Sequence, residues 1–247
     1  MRSLLLRFAG AGVDAFFAVV GSLIIATQFV SGVRADDIPP QPPYLVAGTH
    51  HVLVGVVWDE AAVRKALPSW VTPAEGMTGL INIYQVESGY GITPYQAVYF
   101  AVDVEGFDSA SGIKGRWIMQ GAYGPREVTS AALRKFYQLS VRNGTSRFEL
   151  TADGIRATGS VGGRDVVLAE IKSNSKPCQP ASITLNYATP KGVIEIPVTG
   201  EACEAEPVSV DIVAPEGDAF AAFRPVKLLW ASEFKNGAFS IARPVPY

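Results

Sequence analysis

Histidine is nearly missing from this chain of 247 residues: there are two, His50 and His51, and they are adjacent. The flanking "HHVLVGVVW" predicts a strand, on which neighbouring side chains leave by opposite faces. No Ser/His/Asp or Cys/His mechanism can therefore use both, and the bland reading is a half-buried pair at a strand edge. Cysteine is as scarce. With no CxxC and no histidine at ligand spacing, Cys178 and Cys203 do not suggest a metal, and a disulfide between them is the favoured reading. The chain also lacks a GxxxxGK[ST] phosphate loop, an HExxH zinc helix and a GxSxG nucleophile elbow. It has no basic excess either: 21 Lys and Arg against 23 Asp and Glu exclude a nucleic-acid partner.

What is present begins with an export pattern. Arg2 and Arg7 precede the apolar run "AFFAVVGSLIIATQFV", and "VRA" before "DDIPPQPP" reads as a cleavage site after Ala35. Residues 1–35 are thus read as a signal peptide. An uncleaved anchor is the alternative, disfavoured because the run is interrupted by Ser, Thr and Gln. Removing the leader leaves 18 basic and 22 acidic residues, a net charge of −4, and no stable membrane insertion is expected of the rest. The location implied is periplasmic or secreted, where a Cys178–Cys203 bridge would persist.

The mature chain is long enough for one sizeable core, and 48% apolar residues exclude disorder. Residues 36–51 read as a proline-rich linker and barrel entry, and residues 52–247 as one domain. "TGLINIYQV", "YQAVYFAVDV", "GRWIMQGAY", "SRFELTADGIRATGSV", "DVVLAEI", "SITLNYATP", "GVIEIPV" and "PVSVDIVA" predict strands bounded by Gly, Pro or Asx turns. Helices are few. "DEAAVRKALP" has Asp59 as N-cap and Pro68 as stop, and "TSAALRKFYQL" has Thr129 or Ser130 as cap. The class predicted is α+β, predominantly β: a closed barrel or sandwich with helices at its margin. Glu87 closes a strand before the Gly-rich turn "ESGYG", where a carboxylate can stand at a pocket mouth or simply in solvent. Asp103 and Glu105 in "VDVEG" read as the outward face of a strand.

Several stretches, in order, resemble the acetoacetate decarboxylase family. "VVWDEAAVRKALP" is similar to its strand and helix ending in Leu-Pro or Val-Pro, "QVESGYGITPYQ" to its glutamate-bearing turn, and "GIKGRW" to its Gly-Val-Lys-Gly segment. "GPREV" resembles its Gly-Arg-Glu-Leu stretch, and "RPVKLLWASEFKNGAFSIARPVPY" its C-terminal end. The resemblance implies a cone-shaped β-barrel whose pocket takes a small keto acid or related carboxylate, with no cofactor beyond a lysine that forms a Schiff base. It implies Glu87 as the substrate-orienting carboxylate, His51, Arg126 and Tyr95 as substrate-binding residues, and leaves room for a homo-oligomer.

The lysine itself is the strained point. The family has two adjacent lysines shortly after Gly-Arg-Glu-Leu, and an ungapped match sets them on Leu133 and Arg134; a shift of one residue sets them on Arg134 and Lys135. On a helix, Ala132, Leu133, Phe136 and Leu139 would form the apolar face, Arg134 would oppose it, and Lys135 would lie on its flank. Lys135 is therefore the amine candidate, with Lys114 behind it. Working near neutral pH requires the amine to fall about three to four pKa units, roughly 4 to 5 kcal/mol, which only a dry pocket supplies. The sequence leaves two readings open: a carboxy-lyase using Lys135 and Glu87, or a barrel that binds a small molecule without amine chemistry.

Overall fold

The computed structural model describes residues 38–247; the expected leader and its cleavage point lie outside them. The order is β1 (Tyr44–Trp58), α1 (Glu60–Ala66), β2 (Thr78–Tyr90), β3 (Tyr95–Val104), β4 (Gly115–Gly124), α2 (Glu127–Tyr137), β5 (Val141–Arg142), β6 (Gly144–Leu150), β7 (Gly154–Val161), β8 (Arg164–Ser173), β9 (Gln179–Thr189), β10 (Gly192–Ile212) and β11 (Pro225–Ile241). Strands β11, β1, β2, β3, β4, β9 and β10 are neighbours in that order, and β10 pairs back onto β11, so they close into a ring. One junction is parallel, β4 with β9, where Arg116 lies beside Tyr187 and Trp117 beside Ala188.

Alternation along each strand splits the apolar residues between two faces. On β3, Tyr95, Ala97, Tyr99 and Ala101 join the core on the ring's inner face, and Val98, Phe100, Val102 and Val104 join a second core on the outer face. Strands β7 and β8 cover that outer face with Ile155, Ala157, Val167 and Ile171. Close approach there requires a glycine: a Cβ on Gly159 would stand 2.7 Å from Val98 Cβ. β10 links the two layers, running from β9 and β11 in the ring to β8 in the cover.

The sequence reads "GVIEIPV" and "PVSVDIVA" as two strands; the structure joins them as one, β10. Pro197 sits one residue before pairing with β11 begins at Val198, so its missing N–H breaks no bond there. Pro207 falls at a register shift in the pairing with β8, where a bulge tolerates it. β1 also starts at Tyr44, so the strand reaches back into the stretch read as linker.

α1 follows expectation, with the Asp59 carboxylate accepting from Ala62 N at 2.9 Å. α2 starts earlier than its Thr and Ser suggest. Arg126 holds the N-cap position without a side-chain cap, because the Thr129 hydroxyl donates instead to Ile92 O at 2.9 Å and ties the helix to the β2–β3 turn. The helix ends at Gln138, in the left-handed region at φ 56°.

Cys178 and Cys203 form a disulfide across a sequence separation of 25, tying the lead into β9 to β10. By the chain-entropy argument, removing it costs about 3 kcal/mol. Paired Cys178→Ser and Cys203→Ser substitution should lower the denaturant midpoint accordingly, and reduction of the native chain should do the same; an unchanged midpoint would show that the bridge does not restrain the unfolded chain.

Candidate functional site

The interior of the ring holds a cavity of about 460 Å³. Its walls differ. β9, β10 and β11 contribute aliphatic and aromatic side chains, among them Ile183, Leu185, Ile194, Ile196, Val198 and Phe239. β1 to β4, with Tyr187 of β9, contribute nearly all the polar groups: His51, Asn82, Tyr84, Tyr95, Tyr99, Arg116 and Tyr123.

Strand register explains how these come together. His51 lies beside Tyr84 and Phe234, Asn82 beside Tyr99, and Asp103 beside Arg116, which lies beside Tyr187. Each set is a row across neighbouring strands, where facing side chains touch. Gly121, opposite Tyr99, keeps the rows open: a Cβ there would meet the Tyr123 ring at 2.9 Å. The rings of His51 and Tyr84 stack at 4.5 Å, and those of Tyr99 and Tyr123 at 6.4 Å.

The polar groups form a hydrogen-bonded chain. Burial pushes the His51 imidazole down to about 4, although its bond to Asn82 raises it and the neighbouring His50 lowers it, so the ring is neutral at pH 7. Its Nδ1 faces Asn82 Oδ1 at 3.2 Å and must donate, which makes Nε2 the acceptor of the Thr49 hydroxyl at 2.9 Å. Asn82 Nδ2 donates to the Tyr99 hydroxyl at 2.9 Å, and the Tyr99 and Tyr187 hydroxyls share a hydrogen bond of 2.7 Å in which either can be the donor. Whichever donates, the proton of the other has no acceptor among the described residues. Beside Tyr187, Arg116 Nε donates to Asp103 at 3.4 Å, and Asp103 takes the Thr78 hydroxyl at 2.8 Å. Burial pushes the guanidinium down, but Tyr187, Tyr99 and Asp103 raise it further, so it stays charged. Burial pushes the Tyr84, Tyr99 and Tyr123 phenols well up, which keeps them neutral donors.

Two of the residues expected to bind substrate, His51 and Tyr95, line the cavity; Tyr95 is 2% exposed, its hydroxyl 3.2 Å from that of Tyr84. Arg126 does not. It is exposed at the start of α2 and donates to Thr93 O at 3.0 Å. Glu87 and Lys135 are exposed as well, and neither lines the cavity. The physical reason for Lys135 is the phase of α2. Its buried residues are Thr129, Ser130, Ala132, Leu133 and Tyr137, so Leu133 faces the cavity, and Lys135, about 200° further round, faces out. The Lys135 ammonium lies 5.4 Å from the Phe136 ring centroid. Arg134 is exposed and paired with Glu127. Lys114, the second candidate, pairs with Glu105 at 3.1 Å and Asp108 at 3.4 Å on the surface. His50 leaves by the other face, with Nε2 2.7 Å from the Glu233 carboxylate.

Asp103 is a correction. Read as outward, it points inward, its side chain 17% exposed, because it continues the Tyr95, Ala97, Tyr99 alternation. The sequence reading passed over Asn82, Tyr84, Tyr99, Arg116, Tyr123 and Tyr187. The signal available was the alternation of tyrosine with alanine in "YQAVYFAVDV", which marks one face as polar-tipped.

No known protein-family model matches the sequence, and no curated protein matches it. Solved structures do. An acetoacetate decarboxylase from Legionella pneumophila matches at a TM-score of 0.67 and 12% identity, over 84% of this chain and 88% of that one. An acetoacetate decarboxylase-like enzyme from Sphingomonas wittichii RW1 matches at 0.60 and 13%, over 90% and 99%. The enduracididine biosynthesis enzyme MppR, complexed with pyruvate, matches at 0.55 and 14%, over 83% and 90%. The chain has the acetoacetate decarboxylase-like fold.

The His51 environment sets a pH dependence. The folded chain keeps the ring neutral down to about pH 4, whereas in the unfolded chain it takes up a proton near its ordinary value of 6.5. Its contribution to stability is whole above pH 6.5 and is lost as pH falls towards 4, by up to about 3 kcal/mol. Denaturant titrations between pH 4 and 7 should show a shallower pH dependence in His51→Gln than in the native chain; equal slopes would mean that the ring titrates normally.

Proposed function

We propose that this protein binds a small molecule inside the ring and performs no imine chemistry there. One observation carries the reading: among the described residues lining the cavity there is no lysine, and the side chain that α2 turns inward is Leu133. Leu133 is where the ungapped match to the family's lysine pair begins. A Schiff base needs a primary amine that loses its proton in a dry site and reaches the carbonyl carbon. An exposed lysine keeps its charge in water, and both Lys135 and Lys114 are exposed.

The cavity supports a ligand. Its volume is within the range of small-molecule sites, and an apolar lining with a few convergent polar groups is their usual composition. A fold neighbour complexed with pyruvate lends support to a small organic ligand. The Cys178–Cys203 bridge and the leader read in residues 1–35 support a periplasmic or secreted place of action.

Borohydride reduction in the presence of pyruvate or acetoacetate, read by intact mass, should leave the native chain unmodified. The Leu133→Lys variant, with an amine on the inward face, should gain the mass of the reduced adduct. An adduct on the native chain would overturn the reading, and its loss in Lys135→Ala would return that residue to the catalytic role.

A further inference from the structure

The hydrogen-bond chain from Thr49 through His51, Asn82 and Tyr99 reaches Tyr187, only 4% exposed, and leaves one proton of the Tyr99–Tyr187 pair without an acceptor among the described residues. Arg116, the neighbour of Tyr187 in register, presents a guanidinium to the same cavity. Asp103 takes the Nε edge of that guanidinium, and the terminal nitrogens have no carboxylate partner among the described residues. The guanidinium can only donate, and the phenol pair has one proton left to donate.

We infer that the ligand is an apolar monocarboxylic acid, its carboxylate held by Arg116 and Tyr187 and its hydrocarbon body against the aliphatic wall of β9, β10 and β11. The inference rests on the binding-barrel reading and adds the chemical class. A carboxylate fits because it offers only acceptors and matches the guanidinium in charge and geometry. An alcohol head would bring its own proton to two donors and leave the charge unmet. The Asp103–Arg116 bond of 3.4 Å is long for a charge-assisted pair, so the guanidinium retains capacity for a second anion.

The aliphatic wall decides the body of the ligand. Ile183, Leu185, Ile194, Ile196 and Val198 offer no polar atom in their side chains, and burying hydrocarbon against them yields about 25 cal/mol per Å². A small keto acid would satisfy the donors and leave that wall empty. A second polar group far from the carboxylate would be desolvated against it without a partner.

Calorimetric titration of the native chain with octanoate, methyl octanoate, octan-1-ol and pyruvate tests the inference. Octanoate should bind at least about tenfold tighter than each of the others, the equivalent of one charge-assisted hydrogen bond. Tyr187→Phe should reduce that preference. Asp103→Asn combined with Arg116→Gln, which leaves no carboxylate unpaired, should abolish it while octan-1-ol is still taken. Octanoate and octan-1-ol binding equally would overturn the acid assignment and leave the binding barrel standing, as would a preference that survives both variants or pyruvate binding tightest. Binding of none of the four, or borohydride trapping of pyruvate on the native chain, would overturn the underlying reading as well. Should the double variant fail to fold by circular dichroism, Tyr187→Phe decides alone, unchanged preference counting against the inference.

Discussion

A strand in a closed ring has an inside and an outside, and every residue must take one or the other. In this protein both sides are buried over β1, β2 and β3, since β7 and β8 cover the outside and the ring encloses the inside. The outer face is met by Val, Ile and Phe, which need no partners. Polar residues of the inner face have only each other and whatever occupies the cavity. Buried donors and acceptors left without partners cost about 1 to 3 kcal/mol each, so inward polar groups either form rows across the ladder or are absent. The rows of β1 to β4 satisfy this constraint, linking side chains from Thr49 to Tyr187.

The fold sets the direction of α2 by the same logic. The helix covers the ring through Leu133 and Tyr137, one turn apart, and the Thr129 hydroxyl fixes its start against the β2–β3 turn. Once that stripe is inward, residues 134 and 135 must point away, whatever their chemistry. Arg134 finds Glu127 on the outer surface, and Lys135 lies along Phe136. A family resemblance can place a lysine in the neighbourhood of a pocket; the phase of one helix decides whether it enters.

The strands of the ring were largely legible because alternation of apolar residues and Gly or Pro turns survives in the local sequence. The disulfide was legible because two lone cysteines without metal-ligand spacing leave few alternatives. The opposite directions of His50 and His51 followed from strand geometry alone. The site was read less well, for two physical reasons. First, "TSAALRKFYQL" was phased on Ala132, Leu133, Phe136 and Leu139; Ala132, Leu133 and Leu139 are buried, but Phe136 is only half-buried, and Tyr137, fully buried, and Thr129, buried through a hydroxyl, complete the stripe. Polar residues that bury by pairing with backbone are invisible to an apolar pattern. Second, the rows in the cavity join residues as far apart as Thr49 and Tyr187, and their register depends on strand neighbours, including the parallel β4–β9 junction, that no local signal announces.

The tyrosines carry a final step. Phenylalanine would fill nearly the same volume at Tyr99, Tyr123 and Tyr187 and would need no hydrogen-bond partner, so packing alone does not call for hydroxyls there. Removing partners together is often neutral for stability, whereas a chain with an open end is not. The Tyr99–Tyr187 pair has such an end, and the Arg116 charge beside it is only partly met by Asp103. One stretch of the cavity wall holds these donors and another is aliphatic. On the function proposed above, a ligand that supplies acceptors at one end and hydrocarbon at the other would stabilise the barrel by binding it.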